Sequence, residues 1–78
     1  MYNPRPKLKP IEAFQLFCLE SYRSTKNRPA LEAFKAFKQL GVFHFLASGY
    51  EVLHTQSAKY IVSEIDQYIQ SHNGTISR

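Results

Sequence analysis

An all-α fold is what this sequence predicts: a compact bundle of three to four short helices behind an extended basic N-terminal tail. Two observations predict it. Apolar residues recur at spacings of three and four in successive stretches, and Pro or Gly stands at the breaks between them. The third observation is negative, since no stretch of useful length alternates apolar and polar residues as a half-buried strand would, and no internal repeat is present. The chain divides into a tail over residues 1–10, a single helical domain over 11–72 and a C-terminal tail over 73–78.

Ile11, Phe14, Phe17, Cys18 and Tyr22 share one face of a first helix that starts just after Pro10, and Leu16 and Leu19 widen that face. Ser24 to Arg28 is a polar break. Pro29 suits the first turn of a second helix, where its missing donor is not needed, and Ala30, Ala33, Phe34, Phe37 and Leu40 form the apolar face there. Lys35 and Lys38 lie on the opposite side. Gly41 is placed to stop that helix in a left-handed turn. Val42 to Tyr50 predicts a short, nearly all-apolar third helix buried on several sides, with Gly49 weakening its end. The last helix starts near Thr55 or Ser57, either of which can cap it, and turns Ile61, Ile65, Tyr68 and Ile69 inward until Asn73-Gly74 closes it.

Seventy-eight residues allow one modest core, because a chain this short hides only ~60% of the surface that its unfolded form exposes. The usual staples are missing: one cysteine cannot form an internal disulfide, and His44, His54 and His72 share no metal-ligand spacing. No metal and no cofactor is expected. Packing must do the work, and six Phe with five Tyr supply more aromatic surface than so small a core readily holds. A partner or a second copy in a homodimer would cover the surplus.

The first ten residues alternate prolines with cations and hold no apolar run, which reads as neither a signal peptide nor a membrane anchor. No later segment approaches the roughly 20 apolar residues of a membrane span. With Cys18 inside an apolar pattern, a reducing cytoplasm is the expected setting. The charge is uneven. Residues 1–38 carry eight cations against three acids, a net of +5, whereas residues 39–78 carry two against three, a net of −1. Arg5, Lys7, Lys9, Arg23, Lys26, Arg28, Lys35 and Lys38 are therefore candidate nucleic-acid contacts. Against that, a helix-turn-helix built on the Gly41 turn would send Phe43 to Ser48 into the major groove with no cation to reach phosphate.

Enzymatic activity is not expected. Glu64 and Asp66 point to different sides of a helix, Cys18 sits among Phe14, Phe17 and Tyr22 with no base beside it, and the glycines are isolated. The binding surface most legible in the sequence is the Tyr50 to Gln56 end of the aromatic run, where Tyr50, Leu53, His54, Thr55 and Gln56 gather at the junction of two helices. Tyr60 lies one turn further along the same rim. Thr55 as a cap and His54 as a tie to a loop carbonyl are compatible with a partner contact there.

These residues also carry a resemblance. Phe17 to Tyr22, Phe34 and Phe37 before Leu40-Gly41-Val42, Leu46, Tyr50, Val52 to Gln56, Tyr60 to Val62 and Ile65 to Ile69 resemble a small bacterial family catalogued as domain of unknown function 3791. The likeness covers about residues 11–70, with Tyr50 to Gln56 its most specific element. It implies a small helical protein whose gene often stands beside one for an ADP-ribosyltransferase-like protein, as an antitoxin or accessory partner would. It also implies that Tyr50, Leu53, His54, Thr55 and Gln56 are the shared surface. The rival expectation is a nucleic-acid-binding regulator acting through the basic tail and the first two helices.

Overall fold

The first helix, α1 (Pro10–Thr25), takes Pro10 as its opening residue, where the fixed φ suits a helix and the absent N–H would have had no partner. Glu12 in the first turn reaches back and accepts the Lys9 backbone N–H at 3.1 Å. The computed structural model describes residues 8–73, so Arg5, Lys7 and most of both expected tails lie outside the described residues. Pro10, expected in the N-terminal tail, belongs to α1, and Asn73, expected in the C-terminal one, belongs to the last helix.

α1 ends in a left-handed Asn27 at φ 58°. The Arg28 N–H then reaches the Arg23 carbonyl at 2.8 Å and the Asn27 N–H that of Ser24 at 3.2 Å, closing a Schellman turn. Pro29 stands just outside α2 (Ala30–Gln39) as its N-cap rather than inside the first turn. Gly41 adopts φ +76° as expected, and a Cβ there would sit 3.2 Å from the Tyr68 hydroxyl. The turn therefore excludes side chains on both conformational and steric grounds.

The expected third helix over Val42 to Tyr50 is two helices, α3 (Val42–Ser48) and α4 (Tyr50–Leu53), so the described chain has five helices instead of three to four. Gly49 makes the break. A Cβ at that position would stand 3.0 Å from Leu53 Cδ1, so the absence of a side chain lets the single turn of α4 fold back against the end of α3. The last helix, α5 (Ala58–Asn73), is capped by Ser57, whose Oγ accepts the Tyr60 N–H at 3.1 Å. Thr55 does not cap it. Its hydroxyl instead donates to the Val52 carbonyl at 2.9 Å, closing α4.

α1 packs on α2, α3 and α5, with α3 also against α2, α4 and α5. The core holds Phe14, Cys18, Tyr22, Phe37, Val42, Leu46, Leu53, Ile61, Val62 and Ile65. Phe37 lies at its centre, fully buried, with rings of Tyr22 and Phe43 each 5.4 Å away. Burying one such side chain contributes on the order of 2–3 kcal/mol. Five residues expected on inner faces are exposed instead: Ile11, Leu16, Phe17, Ala30 and Phe34. The buried row of α1 runs through Phe14, Cys18 and Tyr22 in steps of four, which puts Phe17 about 100° around the helix from Cys18. Phe34 is about 60° from Phe37 in the opposite sense and lies over Phe43 at 5.6 Å.

Candidate functional site

Gly49 releases the chain into α4, and α4 places Tyr50 so that its ring meets the edge of Phe14 from α1 at 5.4 Å, 77° between planes. The His54 ring stacks on the other side of Tyr50, 4.4 Å away and 11° from parallel. His54 Nδ1 lies 2.6 Å from the Tyr50 carbonyl oxygen. A carbonyl only accepts, so Nδ1 carries the proton and Nε2 is left to meet another group. Three rings from two helices thus form a stack that ends in a histidine facing solvent.

The remaining members of the predicted surface divide. His54, Thr55, Gln56 and Tyr60 are exposed and Tyr50 is half-buried. Leu53 is not part of any surface, because at 7% exposure it belongs to the core, where it holds α4 down. The Gln56 backbone N–H bonds the Leu53 carbonyl at 2.9 Å, which fixes the main chain while leaving the amide side chain outward.

Beside Tyr50 the start of α1 and the start of α4 enclose an open cleft of about 610 Å³, lined by Lys9, Pro10, Ile11, Glu12, Gln15, Tyr50 and Glu51. Sequence reasoning missed Ile11, Glu12, Gln15 and Glu51 as surface neighbours of Tyr50. Glu51 adjoins Tyr50 in α4, whereas no local signal joins Ile11, Glu12 and Gln15 to it, since they reach it only through the packing of α1 across α3. Gln15 fixes that crossing by donating from Nε2 to the Phe43 carbonyl at 2.8 Å, a bond across 28 residues. A smaller hollow of about 190 Å³ lies between Tyr22, Arg28, Glu32, Ala33, Ala36, Leu40 and Ile69.

The candidate nucleic-acid cations fare differently from one another. Arg23 pairs with Glu20 at 3.2 Å, Lys26 with Asp66 at 2.7 Å and Arg28 with Glu32 at 3.5 Å. The hydrogen bond and charge of Asp66 push Lys26 above the ordinary lysine range. Lys35 and Lys38 are exposed and make no ion pair among the described residues. Lys9 lies at the cleft.

Cys18 is fully buried, and that burial pushes its thiol up to about 12, so no thiolate forms near neutrality. Tyr22, above it on the same helix, is also pushed up, first by burial and then by Asp66. Among the described residues no group of three or more His, Cys, Asp or Glu is placed to hold a metal ion. No helix there is long and apolar enough to cross a membrane. The groups gathered at this end are an aromatic stack, a histidine nitrogen, an amide and a cleft edged by two carboxylates.

Searches of curated proteins and of solved structures return no match to the chain. A family model described as a protein of unknown function (DUF3791) matches residues 13–72. The match spans all five helices except the first three residues of α1 and the last residue of α5, and so includes Tyr50 and His54 and, of the cleft, Gln15, Tyr50 and Glu51. The chain belongs to this DUF3791 family.

Proposed function

We propose that the chain is a small non-catalytic protein-binding module that meets its partner with the Tyr50 to Gln56 end and the cleft beside it. One observation carries the reading: an aromatic and histidine stack sits at the rim of an open cleft of about 610 Å³, and exposed aromatic rings beside a concavity are what protein interfaces use as anchors. His54, Thr55, Gln56 and Tyr60 would supply the polar rim, with Tyr50, Ile11 and Gln15 at the base. The partner proposed is an ADP-ribosyltransferase-like protein encoded beside this chain, which would act as its antitoxin or accessory subunit. That part rests on the gene arrangement implied by the resemblance.

The regulator reading has less behind it. Arg23, Lys26 and Arg28 are engaged with Glu20, Asp66 and Glu32, and each would have to give up an acid before contacting phosphate. The test is co-purification of the tagged chain with the protein of the adjacent gene from a nuclease-treated lysate, repeated with His54→Ala and Gln56→Ala. A stoichiometric complex that weakens about tenfold in His54→Ala supports the module reading, since a buried interfacial hydrogen bond is worth roughly that much. Recovery of nothing but nuclease-sensitive material overturns it.

A further inference from the structure

We propose that the outward face of α2 is a second interaction surface and that it takes an acidic amphipathic helix of a partner protein. This goes beyond the reading of the Tyr50 end and stands on a different helix. Leu31, Phe34, Lys35 and Lys38 follow one another at i, i+3, i+4 and i+7, so they form one stripe along the helix. The buried Ala33 and Phe37 occupy the other side. Leu31 is 64% exposed and Phe34 41%, and the half-buried Phe43 extends the apolar strip from below at 5.6 Å. Two large apolar side chains are followed by two cations along a line that a second helix can follow.

The choice of occupant follows from charge. The acid of α2, Glu32, lies off the stripe and is held by Arg28 at 3.5 Å. The two lysines are therefore left without an acid among the described residues, whereas Arg23, Lys26 and Arg28 each have one. A second copy of this chain docked in two-fold fashion on the same stripe would bring four lysines together, which like-charge repulsion disfavours. A nucleic-acid backbone would satisfy Lys35 and Lys38 but leave Leu31 and Phe34 against a polar, charged surface. A helix with an apolar seam flanked by carboxylates satisfies all four: Leu31 and Phe34 receive the seam, and the lysines receive the acids. Because the pairs form at the edge of an apolar contact, they fix orientation and partner choice more than they add affinity.

The test uses two helix-stabilised synthetic peptides that share one leucine seam, flanked by glutamates in one and by lysines in the other. Each is titrated into the isotopically labelled protein while backbone amide shifts are followed. The expected result is that the glutamate peptide perturbs the amides of residues 31, 34, 35 and 38 and binds about tenfold tighter than the lysine peptide. The double substitution Lys35→Glu with Lys38→Glu is expected to reverse that preference, and Leu31→Ser to weaken both peptides. All three positions are exposed, and far-UV circular dichroism checks that the variants keep their helices. The proposal is overturned by equal affinity for the two peptides, or by shifts confined to the Tyr50 to Gln56 end. It is also overturned by tight binding of a short DNA duplex that ignores Leu31→Ser, which would make the lysines a phosphate contact.

Discussion

Two tyrosine–histidine pairs in this protein are built alike and employed differently. Tyr50 and His54 are four residues apart, their rings are stacked at 4.4 Å, and the histidine Nδ1 sits 2.6 Å from the tyrosine carbonyl. Tyr68 and His72 repeat the arrangement near the end of α5, with rings at 3.9 Å and Nδ1 at 2.8 Å from the carbonyl. The recurrence shows that the local geometry is a way of finishing a helix: the imidazole satisfies an end carbonyl and lies on an aromatic ring one turn back. Tertiary context makes the difference. The Tyr68 ring stacks on Phe45 at 4.5 Å, and its hydroxyl donates across the bundle to the Leu40 carbonyl at 3.0 Å. The Tyr50 hydroxyl makes no hydrogen bond among the described residues, and its ring lines a cleft. One pair is consumed by the fold while the other is left facing outward, so the histidine alone says nothing about function.

Substitutions can break this comparison or sharpen it. The largest effect is expected at Gly41, where valine would force a β-branched residue to φ +76° and drive its Cβ toward the Tyr68 hydroxyl at 3.2 Å. A loss of about 3 kcal/mol is expected from left-handed strain together with the displaced hydrogen bond, read by urea unfolding. A loss below about 1 kcal/mol would mean that the turn relaxes and that Tyr68 is less firmly held than its contacts indicate.

Tyr68→Phe comes next. It removes only the hydroxyl and strands the half-buried Leu40 carbonyl, for an expected cost of about 1–2 kcal/mol. The matching Tyr50→Phe is expected to shift stability by less than about 0.5 kcal/mol, as surface changes do, and to show its effect in partner affinity. Equal losses of stability in the two variants would erase the distinction drawn between the pairs. Also small, and below Tyr68→Phe, are His72→Ala and His54→Ala, each expected to cost about 0.5 kcal/mol because an exposed end carbonyl can turn to water instead. Thermal melts of the two should overlay within about 2–4 °C. A much larger loss for His54→Ala would reveal a structural duty that its exposure does not suggest.

The fold was largely legible, because its breakers act locally. Pro10, the polar stretch before Pro29, and Gly41 each impose a backbone geometry whatever lies around them, and all three mark helix ends as expected. Gly49 was expected to weaken the end of one helix instead of dividing two, since the approach of Leu53 to within 3.0 Å, which crowds any side chain there, is a tertiary contact. Phe17 and Phe34 were misplaced for a related reason: period alone defines an apolar stripe but not which edge of it the neighbouring helices cover. Of the candidate site, the gathering of His54, Thr55 and Gln56 at a helix junction was legible, but whether His54 faces solvent was not. Nor was the cleft, because Ile11 and Gln15 meet Tyr50 only after α1 has crossed α3. The ion pairs that occupy Arg23 and Arg28 are local and could have been read from Glu20 and Glu32 at helical spacing. The Lys26 to Asp66 pair spans 40 residues and could not.

That last pair marks where the first long helix lies against the last, and α1 has α5 as one of its main packing neighbours. Ile61, Val62 and Ile65, which complete the core around Phe14, Cys18 and Tyr22, are supplied by α5. During synthesis, α1 therefore waits for nearly the whole domain before it can be covered. Until α5 clears the ribosome, the side of Phe14, Cys18 and Tyr22 that α5 covers remains open to solvent and to other nascent chains.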